Sequence, residues 1–465
     1  MNKKYGYLFK NIGILTISNF ASKILVFLLV PLYTSVLSTE EYGSYDLVVT
    51  SMHFLLPILT LNIADAVMRF SMDKERDKGN VAVVGFRFVE IAVAIAGVLL
   101  ALNRVFGLVK MISGMELVIF IYFLFYLLNS FLTQMAKGFE RVMDMGIAGV
   151  IGTLVTVGAN VLFLLVLKLG VNGFFYANIL GCAAPALFYF FRLKCWNYVT
   201  GRVEKKLKTE MLAYCVPLIL VALCWNVNSS LDKYMVTGFC GVAANGLLAI
   251  AYKIPNILSI IQNIFTQAWQ ISAVAEHESK DVKKFYSSTF EYSSAFICLC
   301  CSALIILSRP LASFLYAKDF YDAWQYVPFL LISAAFNMAG GFVGPLLSAQ
   351  MNSKAMAKSA IYGVAVNVVF NTLLIWLIGI QGATIATAMS SFVIFLVRKL
   401  AVRDMIDKSF NKSLYGSWIL MVLLGCAEIW LQNYLVEAGL FVVICIVYWR
   451  QIKGIAQVGV KIIKR

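Results

Sequence analysis

Lys23 and Lys253 are the residues whose placement most constrains the chemistry of this chain. Each sits near the middle of a long apolar run, where a charge costs about 2.5–3.5 kcal/mol on insertion scales. A lysine stem reaches about 6 Å, short of the ~15 Å half-thickness of a hydrocarbon core, so neither ammonium snorkels easily to an interface. The placement predicts that both face a wet cavity or a bound anion. A buried pairing with a carboxylate such as Asp46 or Asp65 is the plainer alternative. A second set of charges lies nearer the ends of apolar runs. Asp65 and Arg69 are four apart and Arg87 and Glu90 three apart, spacings that share a helix face, while Asp232 and Lys233 are adjacent. These six are candidate gating or ion-pair residues; the plainer reading is that they hold helices in register. Asn19, Asn62, Asn129, Asn226, Asn228, Asn263 and Asn367 also fall in apolar runs. Amides there either join helices or hydrogen-bond a polyhydroxyl cargo, and the residues alone leave both open.

Catalytic chemistry finds no support. The two histidines, His53 and His277, are far apart in sequence, and no Ser/His/Asp, Walker or HExxH pattern occurs. The ten cysteines lie mostly inside apolar runs, as do Cys298, Cys300 and Cys301, without metal-ligand or CxxC spacing. They read as small buried hydrophobes. The expectation is a non-enzyme with no catalytic residue, metal or cofactor.

The elements that must position these charges follow from composition. The 465 residues are 61% hydrophobic and only 14% charged, with a mean hydropathy of +0.83. A soluble domain carries about a quarter charged residues, so a soluble globular protein is excluded, as are disorder, collagen and a disulfide-stapled domain. The apolar runs reach the roughly 20 residues that cross a bilayer. Fourteen spans are predicted, opening with Asn11–Leu37, Tyr42–Phe70 and Val81–Leu102. Later ones include Leu212–Gly238, Ala243–Ile271, Trp324–Ala349 and Ile380–Val397, and the last two, Tyr415–Leu431 and Tyr434–Tyr448, are short. The first run is too long for a signal-peptide core and reads as a retained span. The chain is therefore expected to be an all-α polytopic membrane protein. It divides into an N-terminal lobe (1–208), a C-terminal lobe (209–401) and a helical hairpin with a basic tail (402–465). No loop is long enough for a soluble domain, so an ATP-driven pump would need a partner carrying the nucleotide site.

Orientation follows from the basic residues. Of 39 Lys and Arg, 29 fall in one alternating set of loops and tails, and five (Arg104, Lys110, Lys168, Arg309, Lys318) in the other. The positive-inside bias then makes both termini cytoplasmic. It also accounts for the +15 net charge without nucleic acid, through attraction to anionic lipid headgroups.

The halves also echo one another. Gly170-x-x-Gly173-x-x-x-Ala177 matches Gly379-x-x-Gly382-x-x-x-Ala386, Asn160 matches Asn371, and Thr34 and Gly43 match Thr237 and Gly246. Six spans separate the copies, so both have the same orientation. Such a parallel repeat, about an axis along the membrane normal, is a transporter architecture. Seven of the eight prolines lie in spans, where they bend helices either for movement or for static packing.

The stretch Ser22-Lys23-Ile24, Pro31-Leu32-Tyr33-Thr34, Leu37-Ser38-Thr39-Glu40-Glu41-Tyr42-Gly43 resembles the N-terminus of bacterial oligosaccharide flippases. These handle O-antigen and capsule repeat units, within the multidrug/oligosaccharidyl-lipid/polysaccharide superfamily. Leu231-Asp232-Lys233-Tyr234, Gly246 and Ala251-Tyr252-Lys253-Ile254-Pro255 look like the start of that family's second half. The resemblance implies two six-helix lobes around a cavity that opens alternately to each side. It implies a polyprenyl-diphosphate-linked oligosaccharide as cargo, and Lys23 and Lys253 as cavity cations. A diphosphate suits buried ammonium groups, and a sugar chain cannot cross hydrocarbon unaided. The expected setting is the bacterial inner membrane. Polysaccharide polymerase and glycosyltransferases are candidate partners, and the protein is expected to act as a monomer. Three rivals stand beside this reading. A multidrug or cation antiporter of the same superfamily would be expected to bind with carboxylates such as Asp46 and Asp65. A flippase for the peptidoglycan lipid precursor would share the lobes and the cationic cavity. A non-transporting scaffold would not need charges at mid-membrane.

Overall fold

The computed structural model describes residue 25 and residues 27–73, 75–201, 203–259, 262, 265–266, 269, 281–350, 352–406 and 411–454. Among them the regular structure is helical throughout, with no strand. Among the described residues nine helices are long and apolar enough to cross a membrane, and a bent pair brings the number to ten. The protein is an all-α, multi-pass membrane protein. The chain divides into two compact units, Met1–Ser230 and Leu231–Arg465. The helices beyond residue 402 belong to the second.

In the first unit the described helices begin with α1 (Val30–Val36) and α2 (Thr39–Leu59). Ser38 and Glu41 cap α2 reciprocally: the Ser38 hydroxyl accepts from the Glu41 N–H at 3.1 Å, and the Glu41 carboxylate accepts from the Ser38 N–H at 2.8 Å. The single span expected over Tyr42–Phe70 is broken. α2 ends at Leu59 and α3 (Ile63–Ser71) leaves it at 61°. The cause is local. Pro57 has no N–H for the carbonyl four residues back, that of His53. The Asn226 amide, on α8 (Lys205–Cys240), donates to that carbonyl at 3.2 Å. Leu61 and Asn62 then turn the chain through left-handed φ angles of 49° and 54°, which asparagine tolerates and leucine does not favour. Next come α4 (Lys78–Phe106), α5 (Glu116–Gly138), α6 (Val142–Asn160), which runs into a π-turn over Val161–Val166, and α7 (Gly170–Arg192). Their core holds an aromatic cluster in which Tyr45 and Tyr122 share a hydrogen bond of 3.1 Å and Phe174 packs on Tyr33 and Tyr45.

In the second unit α9 (Val242–Ala251) precedes α10 (Val282–Ile306), the short α11 (Ser308–Leu315) and a 3-10 stretch over Lys318–Tyr326. α12 (Val327–Ala349) is buried almost all round, as a helix apolar on every face should be. α13 (Ser353–Ile378), α14 (Ile380–Ala401), α15 (Asn411–Cys426) and α16 (Tyr434–Val447) complete it. The last two pack firmly. Trp418 stacks edge-on to Phe336 and Phe395 at 4.8 and 4.7 Å, and the Ser417 and Tyr448 hydroxyls share a hydrogen bond.

The two glycine hairpins use one local solution. Gly170 and Gly379 take φ angles of 57° and 61°, which only glycine adopts at no cost. Three residues on, Gly173 and Gly382 press against the preceding helix. A Cβ on Gly173 would lie 3.1 Å from the Phe163 carbonyl oxygen, and one on Gly382 only 2.1 Å from that of Leu374. Gly149, by contrast, has open space around it. Gly382→Ala should therefore lower the melting temperature of the purified protein, because the clash is with backbone. Gly149→Ala should leave it unchanged or raise it, alanine being favoured in a helix by about 1 kcal/mol. Equal melting temperatures for the two variants would contradict this packing.

Candidate functional site

Lys23 lies outside the described residues, and the other expected site residues fall into the two units. In the first, Asp65 sits one turn into α3, just beyond the break. Its carboxylate accepts from the Asn62 amide at 2.8 Å and from the Gln134 amide of α5 at 2.8 Å. The Asp65–Arg69 ion pair suggested by the four-residue spacing does not form. These two amides take the place of Arg69 as partners of the carboxylate, and Arg69 is exposed and lends its charge to Asp73 in the following loop. The Glu75 N–H, aided by Arg76 and Arg69, holds the Asp73 carboxyl below its ordinary value. Arg76 also bridges to Glu210 at 2.7 Å, tying this loop to the start of α8. Arg87 and Glu90 do pair, at 2.7 Å, about 41% and 42% exposed, so their ion pair is of the weak, solvated kind.

The second unit holds the other three expected residues, Asp232, Lys233 and Lys253. Asp232, on α8, is buried; its carboxylate accepts from the Tyr252 hydroxyl and from the Lys233 backbone N–H. Lys253 follows Tyr252 directly and is half-buried. Within the span expected over Ala243–Ile271, α9 ends at Ala251, Tyr252 is a single turn residue, and the chain is helical again from Lys253 to residue 259. Pro255, which lacks the N–H that the Ala251 carbonyl would bond, supplies the reason. Asp232 thus fixes the joint at which Lys253 is presented.

Three polar constellations were not evident from spacing. Arg309, expected in an exposed loop, instead binds two buried carboxylates, Glu428 at 2.8 Å and Glu437 at 2.6 Å. Two glutamates nine apart in an otherwise apolar C-terminal stretch were the available signal. Arg398 and Lys399, expected in a cytoplasmic loop, lie in the last turn of α14. Lys399 points into a cage of Phe290, Phe395 and Tyr415, and Arg398 bonds Ser359 at 3.0 Å; long stems let both heads fold back along the helix. His53 meets the Tyr126 hydroxyl at 2.7 Å on the exposed face of α2.

The Asp65–Gln134 bond should be worth roughly 1.5–3 kcal/mol, the range for hydrogen bonds to charged groups. Asp65→Leu and Gln134→Leu should each lower the melting temperature, and the double variant should melt no lower than the worse single one. Fully additive losses would show that the two residues act independently.

Comparison with known proteins gives these sites a context. The sequence profile of the family described as "Polysaccharide biosynthesis protein" matches residues 8–270, a stretch that includes both Lys23 and Lys253. No curated protein matches the sequence. Among solved structures, the lipid II flippase MurJ in an inward closed conformation is similar over 94% of this chain and 99% of its own, with a TM-score of 0.69 and 14% identity. A multidrug resistance MATE family transporter of the MOP superfamily, facing inward, is similar over 82% of this chain and 95% of its own, with a TM-score of 0.62 and 15% identity. A MOP superfamily transporter from Pyrococcus furiosus is similar over 85% and 96%, with a TM-score of 0.59 and 15% identity. At such identities the similarity establishes the fold. The profile match, covering more than half of the residues, establishes the family: this chain belongs to the polysaccharide biosynthesis protein family.

Proposed function

We propose that the protein is a flippase that exports polyprenyl-diphosphate-linked oligosaccharide repeat units, of the O-antigen or capsule kind, across the bacterial inner membrane by alternating access. The observation that carries this reading is Lys253. It is a half-buried cation inside an apolar stretch of the family match, held at a proline joint beside the Asp232–Tyr252 pair. Lys23 lies in the same match, and the two ammonium groups are assigned to the diphosphate. Asp65, Arg69, Arg87, Glu90, Asp232 and Lys233 are assigned to gating and register. Both termini are placed in the cytoplasm by the basic residues. The protein acts as a monomer and hands cargo from glycosyltransferases to a polymerase. Outward movement of an anion runs with an inside-negative potential, about 2.3 kcal/mol per charge per 100 mV, so the potential alone could bias export. Likeness to the lipid II flippase along nearly all of both chains favours the peptidoglycan precursor as a second cargo reading.

Cells lacking the protein should accumulate lipid-linked oligosaccharide and lose surface polysaccharide. Lys253→Ala and Lys23→Ala should fail to restore the polymer, and Lys253→Arg should restore part of it. Normal polymer with altered drug sensitivity would replace this reading with the antiporter. Accumulated peptidoglycan precursor instead of oligosaccharide would favour the second cargo.

A further inference from the structure

Glu428 and Glu437 are each 0% exposed, one at the π-turn that ends α15 (Ala427–Leu431) and the other in the first turn of α16. Arg309, at the start of α11, reaches both. Its Nε and Nη2 donate to the two Glu428 oxygens at 2.8 and 3.0 Å, the second Nη2 hydrogen goes to Glu437 Oε1 at 2.6 Å, and Nη1 donates to the Gln432 carbonyl at 3.4 Å. The Ser308 hydroxyl adds a bond to Glu428 at 2.9 Å. Glu437 Oε2 is buried and accepts from no donor among the described residues. Glu428 Oε2 and Glu437 Oε1 accept from the same Nη2, so the two carboxyl groups are neighbours on one guanidinium.

Charge and hydrogen-bond accounting then disagree with two bare carboxylates. Among the described residues the ion pairs of the cluster join Arg309 to Glu428 and to Glu437, and no second cation pairs with either glutamate. Tyr434 lies flat against the guanidinium at 4.1 Å and Trp324 at 5.7 Å; neither supplies positive charge. Lys318, Asp319 and Asp322, on the 3-10 stretch, are exposed. One cation facing two buried carboxylates leaves a net charge of −1, and an uncompensated buried charge costs several kcal/mol. An ionised carboxylate only accepts, so the buried Glu437 Oε2 has nothing to offer a neighbouring carboxylate unless it carries a proton.

We propose that this cluster is a proton-binding site: one proton is held between Glu437 and Glu428, and it is what lets α16 dock against α11 and the end of α15. With the proton in place the cluster is neutral and the orphaned oxygen becomes a donor. Without it, Glu437 and Glu428 repel across a shared guanidinium. A cavity of about 600 Å³ lined by Arg309, Ser313, Trp324, Gln432 and Tyr434 opens on the guanidinium side of the cluster. The assignment stands apart from the identity of the cargo.

The test is infrared difference spectroscopy on the full chain in lipid nanodiscs, with isotopically labelled glutamate. At neutral pH the wild type should show the C=O stretch of a protonated, buried glutamic acid. Glu437→Gln should abolish that band, because the remaining Glu428 is matched by Arg309 alone, and the glutamine keeps the shape of the neutral acid. Glu428→Gln should abolish it as well, leaving Glu437 as the single partner. Should either variant fail to fold, the other and the wild-type band still decide. A wild-type spectrum without the band would overturn the proposal, as would a band that survives both substitutions. Absence of the band together with stability that rises with added sodium or potassium would assign the missing positive charge to a metal cation instead.

Discussion

Hydrocarbon offers no hydrogen bonds, so every polar group carried into it must be met from within the chain. The structure is organised around that constraint. Where Pro57 frees the His53 carbonyl, an asparagine on another helix supplies the missing donor. Where the chain turns out of α2, the Asp65 carboxylate takes two amide donors, one from its own turn and one from α5. At the turn residue between α9 and Pro255, the Tyr252 hydroxyl closes on Asp232. At the first of these the side chain replaces a lost backbone donor; at the other two it satisfies a carboxylate beside the joint. Each of these contacts lies at or beside a charged or titratable group: His53, Asp65, Lys253.

Each of these joints has an identifiable local cause in the sequence. An unbroken α-helix bonds all its interior backbone groups to itself and resists sharp kinking, whereas a joint whose free carbonyl is served by a side chain exchanges one partner for another at little cost. The 61° angle between α2 and α3, at two residues in left-handed backbone, is the largest of these joints. The Asp65 network lies directly beyond that joint and ties the start of α3 to α5.

Much of this was legible in the sequence. Apolar runs marked the helices, the intramembrane charges marked the polar joints, and the spaced glycines marked two hairpins whose backbones approach closely. The Arg87–Glu90 pair formed as its spacing implied. Other features were hidden for definite reasons. The break at Leu61–Asn62 follows an apolar run whose only sign is Pro57, and prolines are as often accommodated by a gentle kink. The Asp65–Arg69 spacing pointed to a pair, but amides from Asn62 and a distant helix compete for the carboxylate, and local spacing carries no information about α5. Arg309, Arg398 and Lys399 were placed by hydropathy in loops, although their long stems bring the charged heads back onto buried partners. Glu428 and Glu437 looked isolated because their partner lies more than a hundred residues earlier.

The most direct test of the account is transport itself. The purified protein would be reconstituted into liposomes carrying a fluorescent, short-chain polyprenyl-diphosphate oligosaccharide, and the rate at which the sugar changes leaflet would be read from its accessibility to an external glycosidase. The account predicts exchange well above that of protein-free liposomes, slowed by Lys253→Ala and slowed further when Lys23→Ala is added. Exchange no faster than in protein-free liposomes, from protein that binds and moves a cationic drug instead, would contradict it.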